Sequence, residues 1–158
     1  MSTPRKLLIF GGLTLAAFGM LYGLSYALFT EHQTLNGMGT ALTEAFVNAA
    51  EGHLPQSSAA IDDYSRIKYS YLRQVDVHSH WIGLAMLLVV LGVAFDRVTF
   101  TGRTRLWIAV SLLTGAVVFP LGVLLQTMLP GPLPSTLAVF GSALVTGSLA
   151  LTALGFAR

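Results

Sequence analysis

Apolar residues in this chain fall in long runs, not in half-buried stripes. Four runs stand out, at residues 7–30, 78–97, 104–128 and 134–157. A helix crossing a bilayer needs about 20 residues, mostly apolar. The second run is short in its purely apolar part, residues 81–95, so that span has to begin near His78. The first run follows Arg5 and Lys6, as a signal core would. It is long for one, and no small-x-small cleavage site follows, so it reads as a retained helix. The sequence Met128-Leu129-Pro130-Gly131-Pro132-Leu133-Pro134 predicts a tight turn between the last two spans.

Between the first two runs lies a long polar connection, residues 31–77. Leu42, Phe46 and Ala49 recur there at helical spacing, and Gly52 and Pro55 break the segment. No Gly or Pro occurs from Gln56 to His80, and Ile61, Tyr64, Ile67 or Lys68, Tyr71 and Val75 repeat with a period near 3.6. This predicts a helix that runs into the second span without interruption. The expected fold is all-α: one integral membrane four-helix bundle over residues 1–158, with an extended outer helical connection between its first two spans. Asp62 and Asp63 read as a solvated helix start, where carboxylates offset the dipole.

Composition agrees. The chain has 158 residues, 54% hydrophobic and 10% charged, where a soluble domain carries about 25% charged residues. There is too little charge to clothe a soluble surface, so the expected partner is the lipid bilayer. With no cysteine, disulfides, thiolate metal sites and redox dithiols are excluded. The net charge of +2 arises from few groups, and no nucleic-acid motif accompanies it. Arg5, Lys6, Arg97, Arg103, Arg105 and Arg158 fall on one side, which the positive-inside rule makes cytoplasmic. Six of the seven acidic residues, and Arg66, Lys68 and Arg73, fall in the outer connection. The expectation is a multi-pass protein of a bacterial inner membrane with both termini cytoplasmic. Gly12, Ala16, Gly19 and Gly23, and then Gly115 and Gly122, are expected to let helices approach closely within one chain. Pro120 is expected to kink the third span.

Candidate chemistry gathers where the outer helix meets the second span. Asp76, His78 and His80 lie there, followed by Trp81. Ionisable groups at membrane depth are costly and point to function. Two positions along a helix turn the side chain by about 200°, so His78 and His80 face opposite ways and cannot hold one metal together. Asp76 and His80 share a face, and an acidic neighbour can orient a ligating imidazole. His78 shares its face with Tyr71, Gln74, Ile82 and Met86, a face that becomes apolar and suits a flat hydrophobic cofactor. His32, beside Glu31 at the end of the first span, is a second ligand or proton relay by this reading; His53, between Gly52 and Leu54-Pro55, is expected to be solvated. Tyr22 and Tyr26 lie in the outer half of the first span, and Gln126 and Thr127 near the outer end of the third. Tyr26 and Gln126 are the candidate catalytic groups of any outer pocket. The inner half holds no ionisable side chain between its ends, which argues against a pump or channel.

From His78 onward the chain resembles the four-helix membrane haem proteins of the bacterial styrene oxide isomerase type. The resemblance rests on His78-Ser79 opening the second span with Met86 eight residues later, the basic turn Arg103-Thr104-Arg105-Leu106, Gly115 in the third span, and the Pro/Gly turn before the fourth. It implies a trimer that binds haem b through His78 near a subunit interface, with ferric iron acting as a Lewis acid on an epoxide oxygen to give an aldehyde. The family has an asparagine six residues after the ligand; Leu84 stands here. His80 or His32 as a second axial ligand would instead give a redox carrier. Two other readings remain open: an accessory subunit of a larger membrane complex, and an outer-face copper or zinc site on His32 and His80.

Overall fold

A computed structural model describes residues 1–129 and 131–158. Among them there is no strand. The described residues form five helices in order, α1 (Thr3–Phe29), α2 (Glu31–Ala50), α3 (Leu54–Ala94), α4 (Gly102–Leu125) and α5 (Leu133–Ala157), with one 3-10 turn at Phe95–Arg97. Helices α1, α3, α4 and α5 are each long and apolar enough to cross a bilayer. The predicted turn at 128–134 includes residue 130, which lies outside the described residues. The chain divides into two compact units, Met1–Leu21 with Asp76–Arg158, and Tyr22–Val75.

In the first unit the helices pack on small residues. A Cβ on Gly12 would lie 2.9 Å from the Ala85 carbonyl oxygen, and one on Gly92 would lie 2.7 Å from the Ile9 side chain. These contacts set α1 antiparallel to α3. Helices α4 and α5 approach still more closely: a Cβ on Gly141 would sit 2.4 Å from the Phe119 nitrogen, and one on Gly122 would sit 2.4 Å from the Ala138 nitrogen. Lipid gives no hydrophobic drive between helices, so such backbone approach supplies the packing contacts. The glycines therefore serve packing within the chain. Phe95, Leu8, Leu88 and Leu112 fill the interior, while Phe10, Met86, Val90, Trp107 and Val139 point outward and are exposed. This distribution suits hydrocarbon as the solvent. Pro120 is buried inside α4, and the helix continues through it.

At one end of this unit the chain's two termini meet the 95–101 connection. Ser2 donates to the Asp96 carboxylate, the Thr99 amide donates to Gly155 O at 3.0 Å, and the Arg158 guanidinium lies 5.8 Å from the Phe100 ring centre.

The second unit is a helical hairpin with the end of α1. Thr30 alone separates α1 from α2, and backbone bonds from Thr30 N to Tyr26 O and from Thr34 N to Thr30 O carry the chain across. Helix α2 stops in a Schellman turn. Gly52 has φ +78°, its amide bonds to Ala49 O at 3.1 Å, and the His53 amide bonds to Asn48 O at 2.8 Å. Ser57 then donates to Ala45 O at 2.9 Å, tying α3 back to α2. The buried residues are the small ones, Ala41, Ala45 and Ala60, while a Cβ on Gly37 would meet Ile67 at 3.5 Å. Leu42 and Phe46, whose spacing marks the helix in the sequence, are exposed, Phe46 by 68%. Helix α3 begins at Leu54, so Asp62 and Asp63 lie in its third turn and not at its start; Asp63 pairs with Arg66.

The uninterrupted helix expected from Gln56 to His80 is present within α3, which spans 41 residues. At 1.5 Å per residue that is about 60 Å. The hydrocarbon core is about 30 Å thick.

Candidate functional site

His78 and His80 both lie on α3, in the first unit. The residues around them are set by the helix period. Position 78 faces α1; position 80, about 200° away, faces α4.

The His78 Nδ1 atom lies 3.0 Å from the carbonyl oxygen of Gly19 on α1. A carbonyl only accepts, so the ring hydrogen is on Nδ1 and the neutral ring keeps its lone pair on Nε2. Gly19 permits the approach: a Cβ there would already be 3.1 Å from Trp81 Cβ and from Ile82 Cδ1. The His80 Nδ1 atom lies 2.6 Å from the main-chain oxygen of Asp76, one turn back on the same helix. Its Nε2 is likewise the unprotonated nitrogen of the neutral ring. Asp76 thus accepts from the His80 ring through its main-chain oxygen. The His80 ring meets the Phe119 ring edge-on at 4.7 Å, and Trp81 meets Phe18 edge-on at 4.9 Å.

Two openings lie near these rings. An apolar groove of about 520 Å³ is lined by Gly11, Thr14, Phe18, Trp81, Leu113 and Val117 among others. A shallower hollow of about 260 Å³ is lined by Ser79, His80, Gly83 and Leu84. His78 lines neither. Its ring sits in the seam between α1 and α3.

The remaining candidates are placed as follows. Met86 is 63% exposed on the outer surface of α3, turned away from the α1 seam that holds His78. Gln126 caps the C-terminus of α4 and is half-buried, and the Thr127 hydroxyl donates to Leu124 O at 2.7 Å. Tyr26 and His32 belong to the second unit. His32 is exposed in the first turn of α2, its Nε2 3.1 Å from the Asn36 amide nitrogen. In the same unit Tyr22 donates to the Gln74 side-chain oxygen. His53 is exposed, as expected, and lies 3.3 Å from Glu51. Among the described residues, no three His, Asp or Glu side chains converge as a metal site.

The sequence does not show that Gly19 serves as hydrogen-bond acceptor for His78. The one available signal is that a small residue lies in the apolar run of α1 and a histidine opens the apolar run of α3.

No family model, no curated protein and no solved structure matches this chain.

Proposed function

We propose that this chain is a multi-pass membrane protein that holds haem b through His78 at the outer end of its bundle. The observation that carries the reading is the bond from His78 Nδ1–H to the Gly19 carbonyl. Histidines that ligate metals nearly always give their other ring hydrogen to a carbonyl or carboxylate, which fixes the tautomer and raises the basicity of the ligating nitrogen. Here the acceptor is on a different helix, so two helices hold the ring. An imidazole held in this way is the donor an iron porphyrin takes, and Trp81, three residues on from His78, lines an apolar groove that His78 itself does not enter.

Bound there, haem iron would supply an open Lewis-acid position or a one-electron couple. The chain's own residues divide the work around it. Trp81, Phe18 and Leu15 exclude water. His80, with its own Nδ1 committed to Asp76 O, presents Nε2 to the opposite side of α3 and so acts apart from His78. Leu84, in the hollow beside His80, offers no polar group to a substrate oxygen. The site would lie in the outer half of the bilayer, with the basic end of the bundle in the cytoplasm of a bacterium. Resemblance to the isomerase family implies a homotrimer.

The test is an absorption spectrum of protein purified from haem-replete cells. A Soret band is expected in the wild type, in His53→Ala and in His80→Ala, but not in His78→Ala. Colourless wild-type protein, or a band that survives loss of His78, would overturn the assignment.

A second reading, an accessory subunit of a larger membrane complex, is favoured by the exposed apolar residues Leu35, Leu42, Phe46 and Val47 on α2. Copurification in mild detergent of unrelated subunits at fixed stoichiometry is its expected sign.

A further inference from the structure

We propose that the hairpin of α2 and residues 54–75 of α3 pairs with the same hairpin of a second copy of this chain, through one apolar face that shows Leu35, Leu42 and Phe46 from α2 and Leu54 and Ile61 from α3. The proposal rests on the second unit alone and is independent of haem.

The face is made of two stripes. On α2, Leu35, Leu42 and Phe46 follow the helix period and are exposed. They lie about a third of a turn round the helix from Gly37, Ala41 and Ala45. Those small residues meet α3: Ala41 and Ala45 are buried, Ser57 donates to Ala45 O at 2.9 Å, and a Cβ on Gly37 would meet Ile67 at 3.5 Å. On α3, Leu54 and Ile61 are exposed. They lie about a quarter of a turn round from Ser57, Ala60 and Ile67 at the same contact. Both turns run in the same sense along the chain. Because the two helices are antiparallel, that brings both stripes to one side of the hairpin. The opposite side carries Glu44, Val47, Asp63 and Arg66, all exposed.

The size of the face suits a protein partner. Helix α3 is about 60 Å long and the hydrocarbon core about 30 Å thick, so about half of α3 lies outside lipid. Soluble surfaces seldom leave a large contiguous apolar patch bare. Helix α2 has 20 residues, so it is about 30 Å long, and each helix is about 10 Å wide. One side of the hairpin then measures about 600 Å² flat-on. A stable complex takes about 800 Å² of accessible surface from each partner.

Charge decides between occupants. The connection holds six acidic groups against Arg66, Lys68 and Arg73, so an anionic lipid surface repels it. A second copy complements it. Copies in one membrane point the same way, and a twofold axis along the hairpin sets α2 of each against α3 of the other at equal height. The Ser57–Ala45 and Ile67–Gly37 contacts fix those heights. Position 42 stands level with about position 61, and positions 31–35 with about positions 68–72. Leu42 therefore meets the partner's Ile61. Glu31 lies on the α2 stripe, one turn before Leu35, and Lys68 lies on the α3 stripe, two turns after Ile61. Lys68 of each copy thus comes within reach of the partner's Glu31.

The experiment uses the full chain in a mild detergent, its mass read by light scattering and native mass spectrometry. A dimer is expected. Phe46→Glu and Leu42→Glu, each with helicity confirmed by circular dichroism, are expected to lower the dimer fraction several-fold, and Val47→Glu on the opposite side to leave it unchanged. Lys68→Glu is expected to lower it, and added Glu31→Lys to restore it. The chain has no cysteine. In membranes, copies with Leu42→Cys and differently tagged copies with Ile61→Cys are therefore expected to join through a short bis-maleimide. Monomer in detergent together with no cross-link in membranes would overturn the proposal. A mass undiminished in both folded glutamate variants would place association in the membrane-spanning helices and overturn this face. An unrelated protein held at fixed stoichiometry by the wild type and lost in Phe46→Glu would overturn the second copy as its occupant.

Discussion

The ring hydrogen of His78 is held by the main-chain oxygen of Gly19, 3.0 Å away and 59 residues earlier in the chain. This bond fixes the tautomer of the His78 ring and ties α3 to α1. Nitrogen NMR of the neutral ring should show the proton on Nδ1. A ring protonated at Nε2 alone would contradict the arrangement. Gly19→Leu should force α1 away from Trp81 and Ile82, break the bond and cost about 1–3 kcal/mol, the range for overpacking, read as a fall in thermal midpoint in detergent.

The seam between α4 and α5 has no room at Gly115, Gly122 or Gly141. Gly141→Ala would place a methyl group 2.4 Å from the Phe119 backbone nitrogen, which cannot turn aside as a side-chain tip can. Gly147 lies on the same helix with nothing within 4 Å. Gly147→Ala should therefore be neutral or gain up to about 1 kcal/mol of helix propensity, while Gly141→Ala should lose about 2 kcal/mol or more, at the upper part of the range for overpacking. Equal midpoints for the two variants would show that the seam is looser than described here.

The hairpin has its own weak point at Gly52. With φ +78°, alanine at this position pays the left-handed penalty, about 1–2 kcal/mol. The loss should be local. Hydrogen exchange in Gly52→Ala should quicken at the Gly52 and His53 amides and the last turn of α2, and leave α4 and α5 unchanged.

Topology can be read directly because the chain has no cysteine. Ser58 and Gly102 are both exposed and suit single replacements. In intact cells a membrane-impermeant maleimide should label Ser58→Cys, and should label Gly102→Cys only after permeabilisation. The reverse pattern would invert the proposed orientation and move the histidine site to the cytoplasmic half.

Much of the fold is legible from local sequence. The spans at 7–30, 104–128 and 134–157 lie within a few residues of α1, α4 and α5, and the second falls within α3 and its 3-10 turn. Spacing marks the helix and not its buried face. Leu42 and Phe46 recur at helical spacing and are exposed, while α2 buries Ala41 and Ala45, because helices that approach this closely fit small residues between them. Eight residues turn Met86 about 80° from His78, and its side chain is 63% exposed.

The linear chain by itself determined where helices start, stop and continue. The four long apolar helices, the left-handed turn at Gly52 and the unbroken run from Gln56 to His80 depend on residues close in sequence. Tertiary structure alone decided which partner each polar group found: Gly19 for His78, Phe119 for His80, and Asp96 for Arg5 and Arg105. Periodicity gives the direction in which a side chain leaves its helix. What it meets there depends on which helix packs alongside and at what height, and those are properties of the assembled bundle.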